Sequence, residues 1–257
     1  MLLAVDIDNK FSNFAVFDGA NIICDFRIAS DKNKSKDEIR LAIKLLAEDN
    51  NIDLDDIEDI IISSVVPELL VPYQEISRKI TKKDPIIISP GVKTGINIKC
   101  DNPRDVGTDR IIRAVGASSH FDGNLVIISA ASITTIDFIN DKKHFLGGAI
   151  LPGINLLENS LYNQSAKLPQ VEIKSIDKIL GNTTISAIQS GIYYGYINSI
   201  FGIVKQIFDE YNLKDEHTSV VVTGEFASLL DNKKYKVKFV QNLGLYGLNH
   251  IYKLNKK

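Results

Sequence analysis

Cysteine is scarce: Cys24 and Cys100 are the only two in 257 residues. That is too few for a disulfide framework or a zinc cluster. It reads instead as a pair of buried thiols in a reducing compartment, which implies a cytoplasmic protein. An excess of charge of either sign is also missing. The chain has 30 Lys and Arg against 32 Asp and Glu, a formal net charge of −2, with no electrostatic basis for binding nucleic acid or an anionic membrane. Small molecules or other proteins are the expected partners. Long hydrophobic runs are absent as well. The apolar stretch Met1–Val5 is cut off by Asp6, and it lacks both a basic leader and the length of a spanning helix, so no targeting signal is read there. His120, His144, His217 and His250 have no metal-ligand spacing, and no low-complexity linker divides the chain.

What is present is an ordinary globular composition, 44% hydrophobic and 24% charged, long enough to bury one large core or two smaller ones sharing a fold. Leu2–Val5 and Asn13–Phe17 read as strands joined by a tight polar turn, and Asp18-Gly19 turns the chain into a third strand around Ile22–Ile28. Apolar residues at helical spacing predict a helix over Ser35–Glu48, followed by a strand at Ile57–Val66, a helix at Glu68–Thr81 and a short strand at Pro85–Ser89. The order then repeats. A helix begins near Asp105, and strands follow at Leu125–Ser129, Thr135–Ile139 and Phe145–Ile150, with helical material through Leu161. A long helix runs from Thr184 to Tyr211, a strand from Ser219 to Thr223, and a strand and a helix from Lys236 to Leu254. Two copies of one pattern predict a duplicated α/β fold, with two halves around a central cleft.

One octapeptide carries candidate chemistry. In Pro103-Arg104-Asp105-Val106-Gly107-Thr108-Asp109-Arg110, a carboxylate and a guanidinium sit together just inside the expected helix start. Asp109 can take a proton from a substrate hydroxyl while Arg110 holds an anion, as phosphoryl transfer to a small acidic alcohol requires. The same residues also fit an ordinary helix start, with Asp109 and Arg113 a solvated pair four residues apart.

A strand ending in an acid, a tight polar turn and a second strand resemble the phosphate-gripping hairpin of the actin, sugar kinase and heat-shock ATPase superfamily. Six motifs in order resemble one branch of it, the type III pantothenate kinases: Ser63–Pro67, Pro90–Gly95, Asp101–Arg110, Gly147–Gly153, Ala166–Pro169 and Gln189–Tyr196. The resemblance implies a ribonuclease-H-like fold in two halves, residues 1–110 and 111–257, with the last helix packing back on the first. It also implies a homodimer, for which the long helix Thr184–Tyr211, apolar on more than one face, is the expected interface, and ATP-dependent phosphorylation of pantothenate at the start of coenzyme A synthesis. By resemblance, Asp109 is the general base; Gly107, Thr108, Arg110 and Thr184 bind pantothenate; Asp6, Asn9, Lys10, Ser132, Thr134 and Gly224 meet the nucleotide. Asp6 would position Mg2+.

The nucleotide elements depart from the family pattern. Asp6-Ile7-Asp8-Asn9-Lys10 stands where the family reads Asp-x-Gly-Asn-Thr, so Asp8 adds a side chain and a negative charge beside a phosphate. Lys10 works in the opposite direction, as an ammonium that can meet a phosphate oxygen. Ser129–Thr135 stands where the family reads Asp-Phe-Gly-Thr-Ala-Thr-Thr, and Ser129 replaces the aspartate of the monovalent-cation position, predicting loss of that site. Glu225 replaces a glycine after Thr223-Gly224. Two readings stand on the sequence: a working kinase with altered phosphate loops, and a non-catalytic pantothenate-binding pseudokinase with a sensing or regulatory role.

Overall fold

The computed structural model describes residues 1–165 and 167–256. Ala166, the first residue of the fifth motif above, lies outside them. The chain separates into two compact units, one made of Met1–His120 and the chain from Leu243 onward, the other of Phe121–Asn242.

In the first unit the strands are β1 (Leu2–Ile7), β2 (Phe11–Asp18), β3 (Asn21–Ala29), β4 (Asp59–Ser64), β5 (Ile86–Ile87) and a two-residue β6 (Asn97–Ile98). The helices are α1 (Lys36–Asp49), α2 (Pro67–Thr81) and α3 (Thr108–His120), with the last helix of the chain, Leu243–Asn255, also belonging to this unit. The sheet order is β3-β2-β1-β4-β5, antiparallel across β1–β2–β3 and parallel across β1–β4–β5. All six residues of β1 are buried because the strand is central and both its faces are covered. With a side-chain period of two, Leu3, Val5 and Ile7 join the core that includes Ile39 and Ile43 of α1 and Leu69 and Tyr73 of α2. Leu2 and Ala4 face a second core with Ile112 and Val115 of α3 and Leu248 and Ile251 of the last helix. Helix α1 starts on a full capping box, with the Ser35 side chain accepting from the Glu38 N–H and the Glu38 carboxylate accepting from Ser35. The hairpin turn at Asp18-Gly19 falls where the sequence put it, with Gly19 at φ +60°.

Helix α3 begins at Thr108, three residues later than the expected start near Asp105. Pro103–Asp105 forms a separate 3-10 turn and Val106 is extended, so the carbonyl of Gly107 is the one that accepts the first helical bonds, from the N–H groups of Arg110 and Ile111. Asp109 therefore sits in the first helical turn.

The second unit repeats the plan with β7 (Asn124–Ala130), β8 (Ile133–Ile139), β9 (His144–Pro152), α4 (Ile154–Gln164), α5 (Thr184–Glu210), β10 (Thr218–Thr223) and β11 (Lys238–Phe239); the last helix of the chain, in the first unit, is α6. Within this unit the strands bond in the order β9-β8-β7-β10-β11, which matches β3-β2-β1-β4-β5 strand for strand and in direction. Val126, Ile128, Ile136 and Phe138 pack on Ile188, Ile192, Tyr196, Ile200 and Val204 of α5. At 27 residues, α5 is about 40 Å long.

Helices α3 and α6 approach to backbone contact. A Cβ on Gly247 would overlap the carbonyl of Ile112, and one on Gly116 would overlap the carbonyl of Leu243. Neither helix can yield without moving its own hydrogen-bonded backbone. Gly247→Ala is therefore expected to destabilise the protein by about 2–3 kcal/mol, seen as a fall in melting temperature of roughly 4–12 °C. An unchanged melting temperature would show that the two helices can separate freely.

Candidate active site

Strand alternation points Asp6 to the same side as Leu2 and Ala4, toward α3 and α6. Its neighbour across β4 is Ser63, and across β2 it is Asn13. The Ser63 hydroxyl donates to Thr108 Oγ1 at 3.1 Å, and Thr108 Oγ1 donates to the Ser64 carbonyl at 3.1 Å, which ties the start of α3 to the end of β4. The Thr108 hydroxyl is thus committed to the scaffold. The first turn of α6 closes the other side, where a Cβ on Gly244 would stand 3.4 Å from Asp6 Oδ2.

On α3, Arg113 Nη1 donates to Asp109 Oδ2 at 2.7 Å, while its Nη2 lies 3.7 Å from Asp8 Oδ2 in the β1–β2 turn. The i,i+4 pair visible in the sequence therefore forms, but Arg113 is only 8% exposed and the pair is not a solvated one. Four charged groups from β1, its turn and α3 share this corner: Asp6, Asp8, Asp109 and Arg113. Asp6 is 6% exposed, and burial pushes its carboxyl up to about 7. Arg113 pulls against that shift, Asp8 and Asp109 add to it, and the nearby Ser63 hydroxyl opposes it. Burial also works against the Arg113 charge, but Asp109, Asp6 and Asp8 together outweigh it and hold the guanidinium more firmly protonated than usual. Gly107 lies beside this pair, and a Cβ there would displace Asp109 Oδ1 from its present position.

Asp8, expected to add a side chain and a negative charge at a phosphate position, does add negative charge to this corner, and its side chain has two neighbours. Its Oδ1 accepts the N–H of Asn9 at 2.6 Å, and its Oδ2 faces Arg113. The side chain that replaces a glycine is taken up by the turn and by α3. Asn9 and Lys10 are exposed at the tip, with the Lys10 ammonium 5.1 Å from the Phe11 ring centroid. Arg110 is half-buried one residue after Asp109.

Ser129, Ser132, Thr134, Thr184 and Gly224 belong to the second unit. Ser129 is buried on β7 opposite Thr223 of β10. Ser132 lies in the β7–β8 turn, whose backbone is packed under Gly153, and the Ser132 carbonyl accepts the Gly153 N–H at 3.1 Å. Gly224, at φ +100°, brings its backbone against Ala130, where a Cβ would not fit. The Thr134 hydroxyl is fully buried and shares a 2.7 Å hydrogen bond with the Tyr196 hydroxyl, so its side chain serves the core. Thr184 is exposed in the first turn of α5, just after the capping Thr183.

A sequence model described as type III pantothenate kinase matches residues 2–206. The chain belongs to the type III pantothenate kinase family. Among curated relatives, the type III pantothenate kinase of Brevibacillus brevis is 38% identical over 256 residues, covering 99% of both chains. The relative of the same name from Exiguobacterium sp. (strain ATCC BAA-1283 / AT1b) is 36% identical over the whole of both chains. Among solved structures, a Campylobacter jejuni protein described as a Baf family transcriptional activator aligns with a TM-score of 0.61 at 21% identity, covering 98% of each chain. A ROK hexokinase from Thermus thermophilus aligns with a TM-score of 0.50 at 11% identity, covering 98% of each. At those identities the likeness is one of fold, a duplicated α/β architecture. The sequence reading did not anticipate that Arg113 is buried or that it lies near Asp8 as well as Asp109. The signal was the i,i+4 spacing of Asp109 and Arg113, which puts the two charges on one face of α3.

Proposed function

We propose that this chain is a working pantothenate kinase, transferring the γ-phosphoryl group of ATP to the primary hydroxyl of pantothenate. The observation that carries the proposal is Asp109 itself. It lies in the first turn of α3 with Oδ2 held by a buried arginine and Oδ1 over a glycine that leaves room for it. A carboxylate fixed in this way can accept the hydroxyl proton as the new P–O bond forms, while Arg110 and the amides at the start of α3 hold the pantothenate carboxylate. Gly107 allows close approach, and Thr184 supplies a further contact. In the first unit Asn9 and Lys10, and in the second unit Ser132 and Gly224, are each read as nucleotide contacts from the family resemblance, while the Thr134 hydroxyl is held by Tyr196.

Magnesium fits the residues present. Asp6 Oδ1 is buried with no hydrogen-bond partner, and Mg2+ commonly takes one or two carboxylates and completes its shell with water and phosphate. The ion would screen the phosphate charge. Ser129, a buried neutral hydroxyl, offers nothing comparable to a monovalent cation, so the activity is read as independent of K+. On α5, Gly191, Gly195 and Gly202 are open on their Cβ sides and a shallow groove runs along Gly191, Gly195, Ile179 and Leu180; this is the face on which a homodimer would pack. No helix among the described residues is long and apolar enough to cross a membrane, and the scarcity of cysteine fits the cytoplasm. The kinase reading is also supported by Arg113, which lies 3.7 Å from Asp8 and partly offsets the charge that motivates the pseudokinase reading.

The test is ADP release from Mg·ATP with pantothenate as acceptor, with and without K+, and light scattering on the same sample. Pantothenate-dependent turnover unaffected by K+ is the expected result. Pantothenate binding by calorimetry without any turnover would replace the kinase reading with the sensor.

A further inference from the structure

We propose that Arg113 is a positioning residue for phosphoryl transfer, and that Asp8 is its second anchor, so that the acid in the first phosphate turn and the arginine on α3 work as one matched pair. The proposal rests on the reading of Asp109 as the general base. It starts from burial. A guanidinium only 8% exposed must be compensated by nearby anions, and here two carboxylates from separate elements face two different nitrogens of the fork. Nη1 holds Asp109 Oδ2 at 2.7 Å, and Nη2 stands 3.7 Å from Asp8 Oδ2. The planar fork fixes the angle between these two directions. Locking the β1–β2 turn therefore also locks the Asp109 carboxylate, and the reverse holds.

The consequence for Asp109 is directional. With Oδ2 committed to Arg113, Oδ1 is the oxygen left over Gly107. Without the arginine, an aspartate in the first turn of a helix would be free to exchange rotamers or turn to backbone N–H groups, and its oxygens would no longer be presented in one place. The consequence for Asp8 is electrostatic. Asp8 Oδ1 already accepts from Asn9, so the carboxylate spans the turn on one side and the arginine on the other. Substituting Asp8 would thus loosen the base even though Asp8 is in a different element. This is the opposite of what its sequence position implies, where removing an acid next to phosphate should help.

Full-length Arg113→Gln, Arg113→Lys, Asp8→Asn and the double variant Asp8→Asn/Arg113→Gln, measured for kcat and for the KM of pantothenate, test the proposal. Arg113→Gln is expected to lower kcat at least about 30-fold with a change in KM of less than about threefold, since the residue orients the base and does not bind the acid. Arg113→Lys, which keeps the charge but not the fork, is expected to recover part of the loss. Asp8→Asn is expected to lower kcat about three- to tenfold, and to cost nothing further once Arg113 is Gln. The proposal is overturned if Asp8→Asn raises kcat, if the Asp8 and Arg113 effects multiply in the double variant, or if the loss lies in KM. Asp8 is partly exposed and its replacement by Asn changes one atom, so this arm decides the question even if Arg113→Gln does not fold. Failure of the readings beneath it gives different patterns: Asp109→Asn would keep the parent kcat if another group is the base, and the parent itself would show no pantothenate-dependent turnover if the chain is not a kinase.

Discussion

Replacing Asp109 by Asn is expected to lower kcat by about 10³-fold, within the usual contribution of a positioned general base, while leaving pantothenate affinity within a few fold. The reasoning is local. The carboxamide keeps the size of the carboxylate, its oxygen can still accept from Arg113 Nη1, and Gly107 still leaves it room, so the first turn of α3 keeps its shape. What disappears is the ability to take the hydroxyl proton. Because Asp109 is one of three carboxylates around a single buried guanidinium, its neutralisation also leaves Asp6 and Asp8 with a larger share of Arg113. The cluster thus tolerates the loss, and the melting temperature should move by only a few degrees. Single-turnover kinetics with calorimetry separate the cases. Retained kcat would show that another group is the base, and lost pantothenate binding would show that Asp109 belongs to the acid-binding loop instead.

The second large effect is expected at Asp6. Its carboxyl is raised from 3.8 to about 7, with burial as the main cause. For a group whose folded pKa lies above its unfolded value, the folded state binds the proton more tightly. The stabilisation is complete below about pH 4 and is lost as pH rises through about 7. The difference of about three units corresponds to at most about 4 kcal/mol. Asp6→Asn removes the titration. The ligand-free variant should therefore be more stable than the parent at pH 8, by a few kcal/mol or on the order of 5–10 °C in melting temperature, and equal to it near pH 4. Turnover should fall by at least about 10²-fold, because the buried oxygen without a partner, Oδ1, is the one available to a phosphate-bound cation. A protein that gains stability while losing function is the signature of a site residue held under strain by the fold. Melting curves of parent and variant that run parallel from pH 5 to 8 would show that Asp6 is solvated and that its burial does not govern its charge.

Much of the architecture was legible in the chain. The run Leu2–Val5 broken by Asp6, the Asp18-Gly19 turn and the helical spacing of Ile39, Ile43 and Leu46 each encode their element locally, because side-chain period and turn chemistry act over a few residues. The recurrence of that local pattern after residue 120 was enough to indicate the duplication, and six short motifs were enough to indicate the family. The start of α3 was misplaced by three residues because Pro103 signals a helix start as readily as a 3-10 turn, and only the carbonyl of Gly107 decides which helix continues.

The sequence by itself determined the fold class, the repeat and the family, and singled out Asp109 as the candidate residue with chemistry to perform. Those follow from contacts within a few positions along the chain. Only the tertiary structure decided the environment of the charges. Asp8 and Arg113 are 105 positions apart, and their approach depends on β1, its turn and α3 packing around one core. Desolvation and Coulomb interaction depend on distance in space, not along the chain, so a surface pair and a buried clamp have the same spelling until the helix is placed.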